Sequence, residues 1–249
     1  KKTIDFQLKE AESFGSSTTW VFSNHDVIRH ATRFGLDKES LSNLPKWFRS
    51  ADRESKINYE LGSARAKAAT MLVLALPGST YLYQGEELGL HEPLNIPSDQ
   101  MQDPQWFRAE GSISRDGCRV PLPWSGDVAP FGFGPNNNAW LPQPAAWSKF
   151  TAELQASEPD SMLNLYRAAI ALRKRTADLV SDEMSWTDST ADVLSFSRGD
   201  STHCIFNFGE TPVAIPEGAE VLMASAPLEN GALAKDTAVR SEERRVGKE

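Results

Sequence analysis

Hydrophobic and polar positions change period several times along the chain. Ile4, Leu8 and Ala11 recur at helical spacing and predict the end of a helix over 2–11, stopped by Gly15 with Ser16 and Ser17. Thr18 to Phe22 is β-branched and aromatic, without Gly or Pro, which predicts a buried strand. That run breaks at once into Ser23-Asn24-His25-Asp26. Residues 29–58 are polar, with Phe34, Leu36, Trp47 and Phe48 showing no sustained period, and read as a loop. Leu61, Ala64, Ala68, Met71, Leu72 and Ala75 mark an amphipathic helix over 60–76, apolar nearly all round in its C-terminal half and ended by Pro77-Gly78. Thr80 to Tyr83 is the next strand, with Gln84-Gly85-Glu86-Glu87 at its C-terminal end. Strand, loop, helix, strand is the βαβ pattern of a parallel sheet or barrel.

Residues 88–158 form a long excursion rich in Pro, Gly and Trp. A structureless loop of that length argues against most folds, but barrel enzymes build active-site rims from large strand-to-helix loops. Its prolines, among them Pro121, Pro123, Pro142 and Pro144, stiffen it. Ser157-Glu158-Pro159-Asp160 predicts a capped helix start. Leu163, Tyr166 and Ile170, with Met162, Leu165, Ala169 and Leu172, give that helix a broad buried face. Arg173-Lys174-Arg175 suits its C-terminal dipole. From Met184 the period becomes two. Val193 to Arg198, a turn at Gly199-Asp200, and His203 to Phe208 predict a hairpin. Further strands are expected at 212–215, 220–224 and 237–239.

Composition changes this picture little. At 249 residues, 40% apolar and 24% charged, the chain can bury a full core. The net charge of −8 argues against nucleic acid or an anionic membrane as partner. No stretch approaches the roughly 18 apolar residues of a membrane span. Cys118 and Cys204 lie far apart in sequence and read as buried free thiols. The opening Lys1-Lys2-Thr3, in mid-helix and without Met, reads as the start of a fragment. Residues 240–249, abruptly charged and equal to a translated sequencing adapter, read as a non-native tail. The compartment stays open, a cytoplasmic one being favoured, and so does the oligomeric state.

A strand ending in Asn24-His25-Asp26 delivers an imidazole and a carboxylate to its C-terminal edge, where parallel α/β folds bind ligands. Alone, the triplet equally suits a turn with a strand-capping histidine. Two later stretches add to it: Tyr81-Leu82-Tyr83-Gln84-Gly85-Glu86-Glu87 and Arg115-Asp116-Gly117-Cys118-Arg119-Val120-Pro121. Together the three resemble glycoside hydrolase family 13, the α-amylase superfamily, and within it the bacterial α-glucosidase and oligo-1,6-glucosidase group.

The resemblance implies the C-terminal part of a (β/α)8 barrel, about strands seven and eight with flanking helices, over 1–179. A small antiparallel β-sandwich domain would follow over 180–239. It implies that Asp26 is the carboxylate stabilising the transition state, that His25 binds sugar hydroxyls, and that Arg119 reaches the same sugar and holds Asp26 ionised. Arg29 either braces Asp26 or contacts substrate. Arg115 and Asp116 belong to the loop scaffold, and Glu86 and Glu87 to the barrel's architecture, since adjacent strand residues point to opposite sides. Phe131, Phe133 and Trp140 either rim the pocket or pack the loop. The nucleophile and acid/base of the family sit on strands four and five, so the free chain is expected not to hydrolyse glycosides.

The expected parent is a retaining α-glucosidase acting on short α-glucosides, with no cofactor implied. The alternatives are a trehalose synthase-like or other transglycosylating enzyme and a non-catalytic structural relative. A metal-dependent hydrolase built on His25 and Asp26 would need further ligands, and no His or Cys spacing supplies them.

Overall fold

The computed structural model describes residues 1–109, 113–135 and 138–243. In chain order they form helix α1 (Lys2–Ser13), strand β1 (Thr19–Val21), short helices α2 (His30–Phe34), α3 (Lys38–Ser42) and α4 (Leu44–Arg49), and helix α5 (Tyr59–Val73). Strand β2 (Ser79–Tyr81), α6 (Pro104–Arg108), α7 (Asp116–Arg119), α8 (Ala152–Ser157), α9 (Met162–Arg175) and α10 (Ala177–Val180) follow. The strands β3 (Met184–Trp186), β4 (Val193–Arg198), β5 (Thr202–Asn207), β6 (Val213–Ala214), β7 (Ala219–Ala224), β8 (Ala232–Leu233) and β9 (Thr237–Glu243) complete the order. The chain divides into two compact units. One holds Lys1–Val21, Lys67–Tyr81 and the chain from Tyr166 onward; the other holds Phe22–Ala66 and Leu82–Leu165.

In the first unit β1 and β2 pair in parallel, Trp20 opposite Thr80. The indole of Trp20 donates to Pro77 O at 2.7 Å. Gly78 has φ +92°, and a Cβ there would stand 2.3 Å from Thr18 O, so only glycine fits the close approach of this turn. The strand at 18–22 is not buried as expected: Thr19 and Val21 are exposed and Trp20 is half-buried. Among the described residues β2 is the sole partner strand of β1, and the side chains at 19 and 21 have no covering layer.

The antiparallel domain follows the period-two pattern closely. β4 and β5 form the expected hairpin, Val193 opposite Asn207 and Arg198 opposite Thr202. Asp178 secures the intervening turn by accepting from the amides of Ser201 at 2.9 Å and Thr202 at 3.0 Å. The sheet order is β3-β4-β5-β9-β7, and β6 and β8 form a second, two-stranded sheet. Val193, Ile205, Leu233 and Val239 are buried together with Val213 and Ile215 packed against them. A larger core joins Met71, Ala75 and Leu76 to Leu172, Leu179, Phe196, Cys204 and Phe206. Cys118 and Cys204 are buried free thiols, as expected. The last strand does not stop at Val239. It runs on to Glu243, with Arg240 and Ser241 fully buried, so residues 240–243 are part of the sheet rather than a tail outside it. Residues 244–249 lie outside the described residues.

In the second unit the expected loop at 29–58 is largely helical. Asp37 caps α3 through the Ser40 amide at 2.7 Å, and Asn43 caps α4 through that of Lys46 at 3.1 Å. Helices of five or six residues make under two turns, too short to display a 3.6-residue period. The long excursion is built around its own core of Leu88, Leu90, Val120, Leu122, Phe131, Leu141 and Trp147. Ser161, not Ser157, caps α9: its hydroxyl accepts from Asn164 N at 3.2 Å, while Ser157 closes α8 by donating to Leu154 O.

Candidate active site

The turn after β1 is set by Asn24, whose side-chain oxygen accepts from Asp26 N at 2.8 Å. Asp26 is thereby placed beside α7. Arg115, the residue before α7, and Arg119, at its end, are four apart, so a single turn carries both guanidiniums to one side. Arg115 Nη1 donates to Asp26 Oδ1 at 2.9 Å and Arg119 Nη2 donates to the same oxygen at 3.0 Å. His25 Nε2 lies 3.3 Å from Oδ2. Arg119 Nε donates to His25 O at 2.8 Å, tying it to the segment it serves. Yet the Asp26 side chain keeps 47% of its surface exposed, leaving the carboxylate open to a solute. Partial desolvation opposes its charge, but the Arg115 hydrogen bond, the charges of His25 and Arg115 and the Arg119 bond outweigh it. The net effect holds the carboxyl below its usual range.

Arg115 does more than the scaffold role expected of it. Its guanidinium forks onto Asp103, Nη2 to Oδ1 at 2.6 Å and Nε to Oδ2 at 2.9 Å, while its amide donates to Oδ2 at 2.7 Å. Asp103 also caps α6 through Gln105 N. These bonds, that from Arg115 first, hold its carboxyl far below the ordinary range despite burial. Asp116 is scaffold as expected, accepting from the amides of Gln102 and Asp103 and from the Ser114 hydroxyl. The i,i+4 spacing of Arg115 and Arg119 is a signal that could have pointed to a shared face and was not used; nothing in the sequence paired Arg115 with Asp103.

Arg29 is corrected. It neither braces Asp26 nor faces substrate: it is 3% exposed, and its guanidinium donates to the carbonyls of Gln84 and Cys118, each at 3.0 Å. It begins α2, which turns it inward beneath the loops. Glu86 is buried, and Glu87 accepts from Gly85 N at 2.8 Å, in keeping with an architectural role. Phe131 is buried in the loop core, Phe133 is half-buried and Trp140 is exposed. Among the described residues no group of three or more His, Cys, Asp and Glu could hold a metal. A cavity of about 810 Å³ opens between Tyr59, His91, Ile96, Trp147 and Phe150, but none of His25, Asp26, Arg115 and Arg119 lines it.

Parallel strands with a helix between them, structured loops after the strands and an antiparallel sheet downstream define part of an α/β catalytic domain of amylase type. The family described as alpha amylase, catalytic domain, matches residues 1–182, and the chain belongs to it, that is, to glycoside hydrolase family 13. A probable alpha-glucosidase of Rhizobium meliloti is 29% identical over 198 residues, covering 77% of this chain and 31% of its own length. The oligo-1,6-glucosidase IMA5 of Saccharomyces cerevisiae is 26% identical, covering 86% of this chain and 39% of its own. Among solved structures, the alpha-glucosyl transfer enzyme XgtA superposes with a TM-score of 0.69 at 27% identity, covering 97% of this chain and 44% of XgtA. The chain thus spans between about 31% and 44% of the length of these relatives.

Proposed function

We propose that the chain is the part of a retaining α-glucosidase that carries strands seven and eight of a (β/α)8 barrel, with Asp26 as the carboxylate that stabilises the transition state. Retaining hydrolysis uses two further carboxyl groups about 5 Å apart, one attacking the anomeric carbon and one protonating the leaving oxygen. The family keeps those on strands four and five. Asp26 would accept hydrogen bonds from ring hydroxyls that align best in the flattened, oxocarbenium-like ring, so its grip strengthens where the barrier lies. His25 would hydrogen-bond a neighbouring hydroxyl, and Arg119 would keep Asp26 ionised while offering free N–H groups to the sugar.

The observation that carries this reading is the state of Asp26: clasped on both oxygens by charged or protonatable groups, yet half-open. A purely structural carboxylate has no need of that exposure. The test joins this chain to an upstream segment supplying strands four and five and compares it with its Asp26→Asn variant on an aryl α-glucoside. Turnover is expected to fall by about 10²–10³-fold or more, with the melting temperature unchanged. Activity within a few-fold of the parent sinks the assignment.

Similarity to an alpha-glucosyl transfer enzyme favours a second reading, in which a sugar or alcohol replaces water as acceptor. The ratio of glucose to transfer product, measured with an alcohol acceptor present, separates the two.

A further inference from the structure

We propose that Glu92 is a positioning residue for the Asp26 site, its buried carboxylate acting as the strap that holds the Asp26 loop against α7. The two elements meeting at the site come from distant sequence: Asp26 precedes α2, and Arg115 and Arg119 flank α7 some ninety residues later. Glu92 lies between them in space. Its Oε2 accepts from Arg29 N at 2.9 Å, at the start of α2. Gly117, inside α7, packs on the same carboxylate. Its own amide donates to Thr32 Oγ1 at 2.7 Å, within α2.

The fit is tight. A Cβ on Gly117 would stand 2.2 Å from Glu92 Oε1 and 3.0 Å from Pro93 O, so α7 rests directly on this carboxylate and tolerates no side chain there. Arg29 closes the same strap from the other side, its guanidinium donating to Cys118 O. Tyr83 donates its hydroxyl to that carbonyl as well, at 2.9 Å. The Cys118 carbonyl is therefore held by two donors while Gly117 rests on Glu92, and the positions of Arg115 and Arg119 follow. No contact joins Glu92 to Asp26 itself. Its influence on the site runs through α7.

The proposal rests on the α-glucosidase reading only in calling Asp26 the carboxylate that stabilises the transition state, and its test needs no turnover. In this chain, the titration of the Asp26 carboxyl is followed by carbon NMR in the wild type, Glu92→Gln and Glu92→Leu. Burial raises the Glu92 pKa to about 7, so Glu92 is a neutral acid in the range where Asp26 titrates. Gln keeps its shape, neutrality and carbonyl acceptor there, and Leu offers no acceptor. If Glu92 acts by placing the arginines, the Asp26 midpoint rises toward 3.8 in Glu92→Leu and stays at its wild-type value in Glu92→Gln. Through-space electrostatics do not enter this comparison, since neither Glu92 nor its replacements carry charge at that pH. An unmoved or lowered midpoint in Glu92→Leu with wild-type circular dichroism overturns the proposal. Should Glu92→Leu fail to fold, Glu92→Ala decides by the same sign. A raised midpoint alongside an active Asp26→Asn variant of the longer protein would leave the strap standing and the glucosidase reading fallen; the reverse pairing would do the opposite.

Discussion

Arg29 donates to two backbone carbonyls from a site closed to solvent, whereas Arg119 donates to a carboxylate that is half-open. The first holds structure and the second holds charge, and the two respond differently to substitution. Arg29→Ala leaves the Gln84 and Cys118 carbonyls short of a donor in a buried place and is expected to cost about 2–4 kcal/mol, read by urea denaturation. Arg119 is half-buried, and Arg119→Lys keeps its charge and should change stability by no more than about 1 kcal/mol. It loses the fork that spans His25 O and Asp26 Oδ1, so the Asp26 titration should move where the stability hardly does. The opposite pattern would exchange the roles of the two arginines. His25, Asp26 and Arg119 could be singled out because each lies in a contiguous motif, the first two at the end of a predicted strand. Arg29 lies in the same motif as Asp26, yet its direction depends on Gln84, Glu92 and Cys118, and no local pattern encodes those partners. Asp103 was invisible for the same reason: a residue before a proline reads as a helix cap, and it is one, but its second partner is Arg115.

Strand β9 sits between β5 and β7, so the end of the described chain is interior to the sheet. Its inward position carries Arg240 into a place where a sheet core wants an apolar side chain. The guanidinium donates to Met71 O at 2.6 Å, but Nε and Nη1 have no partner among the described residues. Burial pushes its pKa down to about 10. Arg198 is also buried, and it differs in having carbonyls at Glu183, Leu179, Ser181 and Ala75 to receive its donors. Arg240→Met keeps most of the volume and removes an under-satisfied charge. It should therefore stabilise the protein by about 1–3 kcal/mol, at roughly 2–4 °C of melting temperature per kcal/mol for a chain of this size. A fall in melting temperature would mean the single bond to Met71 outweighs the desolvation. The conflict between a charged stretch and a buried strand explains why the sequence suggested an end at Val239. Elsewhere the β domain was easy to read, because alternation with a turn signal fixes a hairpin and its register together. Helices α2 to α4 were not, since fewer than two turns cannot display a 3.6-residue repeat.

Three groups that make stability depend on pH between 4.5 and 7 lie in the unit formed by 22–66 and 82–165. His30 is enclosed by Phe22 and Phe34, its Nδ1 3.0 Å from Ser23 Oγ, and burial lowers its pKa to about 3. His91 lies edge-on to Tyr59 and bonds Ser63 Oγ at 3.0 Å, and burial lowers its pKa to about 4. Between pH 6.5 and those values the unfolded chain binds protons that the native unit refuses, so each histidine makes stability fall as pH falls. Glu92 works the other way. Burial raises its pKa to about 7, against the charge of Arg29 and the bond from the Arg29 amide, so from pH 4.5 to 7 the native state holds a proton the unfolded chain has released. From pH 6.5 down to 4.5 two histidines oppose one glutamate. The net is about one proton, a slope near 1.4 kcal/mol per pH unit with stability rising as pH rises. Glu92→Gln removes the opposing group and should steepen the slope toward two protons, while His91→Gln should flatten it toward zero. Asp103 contributes only below its ordinary value of 3.8, outside this window. Denaturation curves at pH 5.0, 5.5, 6.0 and 6.5 measure the three slopes (about 1, 2 and 0 protons). Hydrogen exchange at pH 5 should show protection falling first among the amides of α2 and the 82–92 segment, ahead of β4 and β5. Protection lost first in the β domain would place the acid-sensitive groups elsewhere.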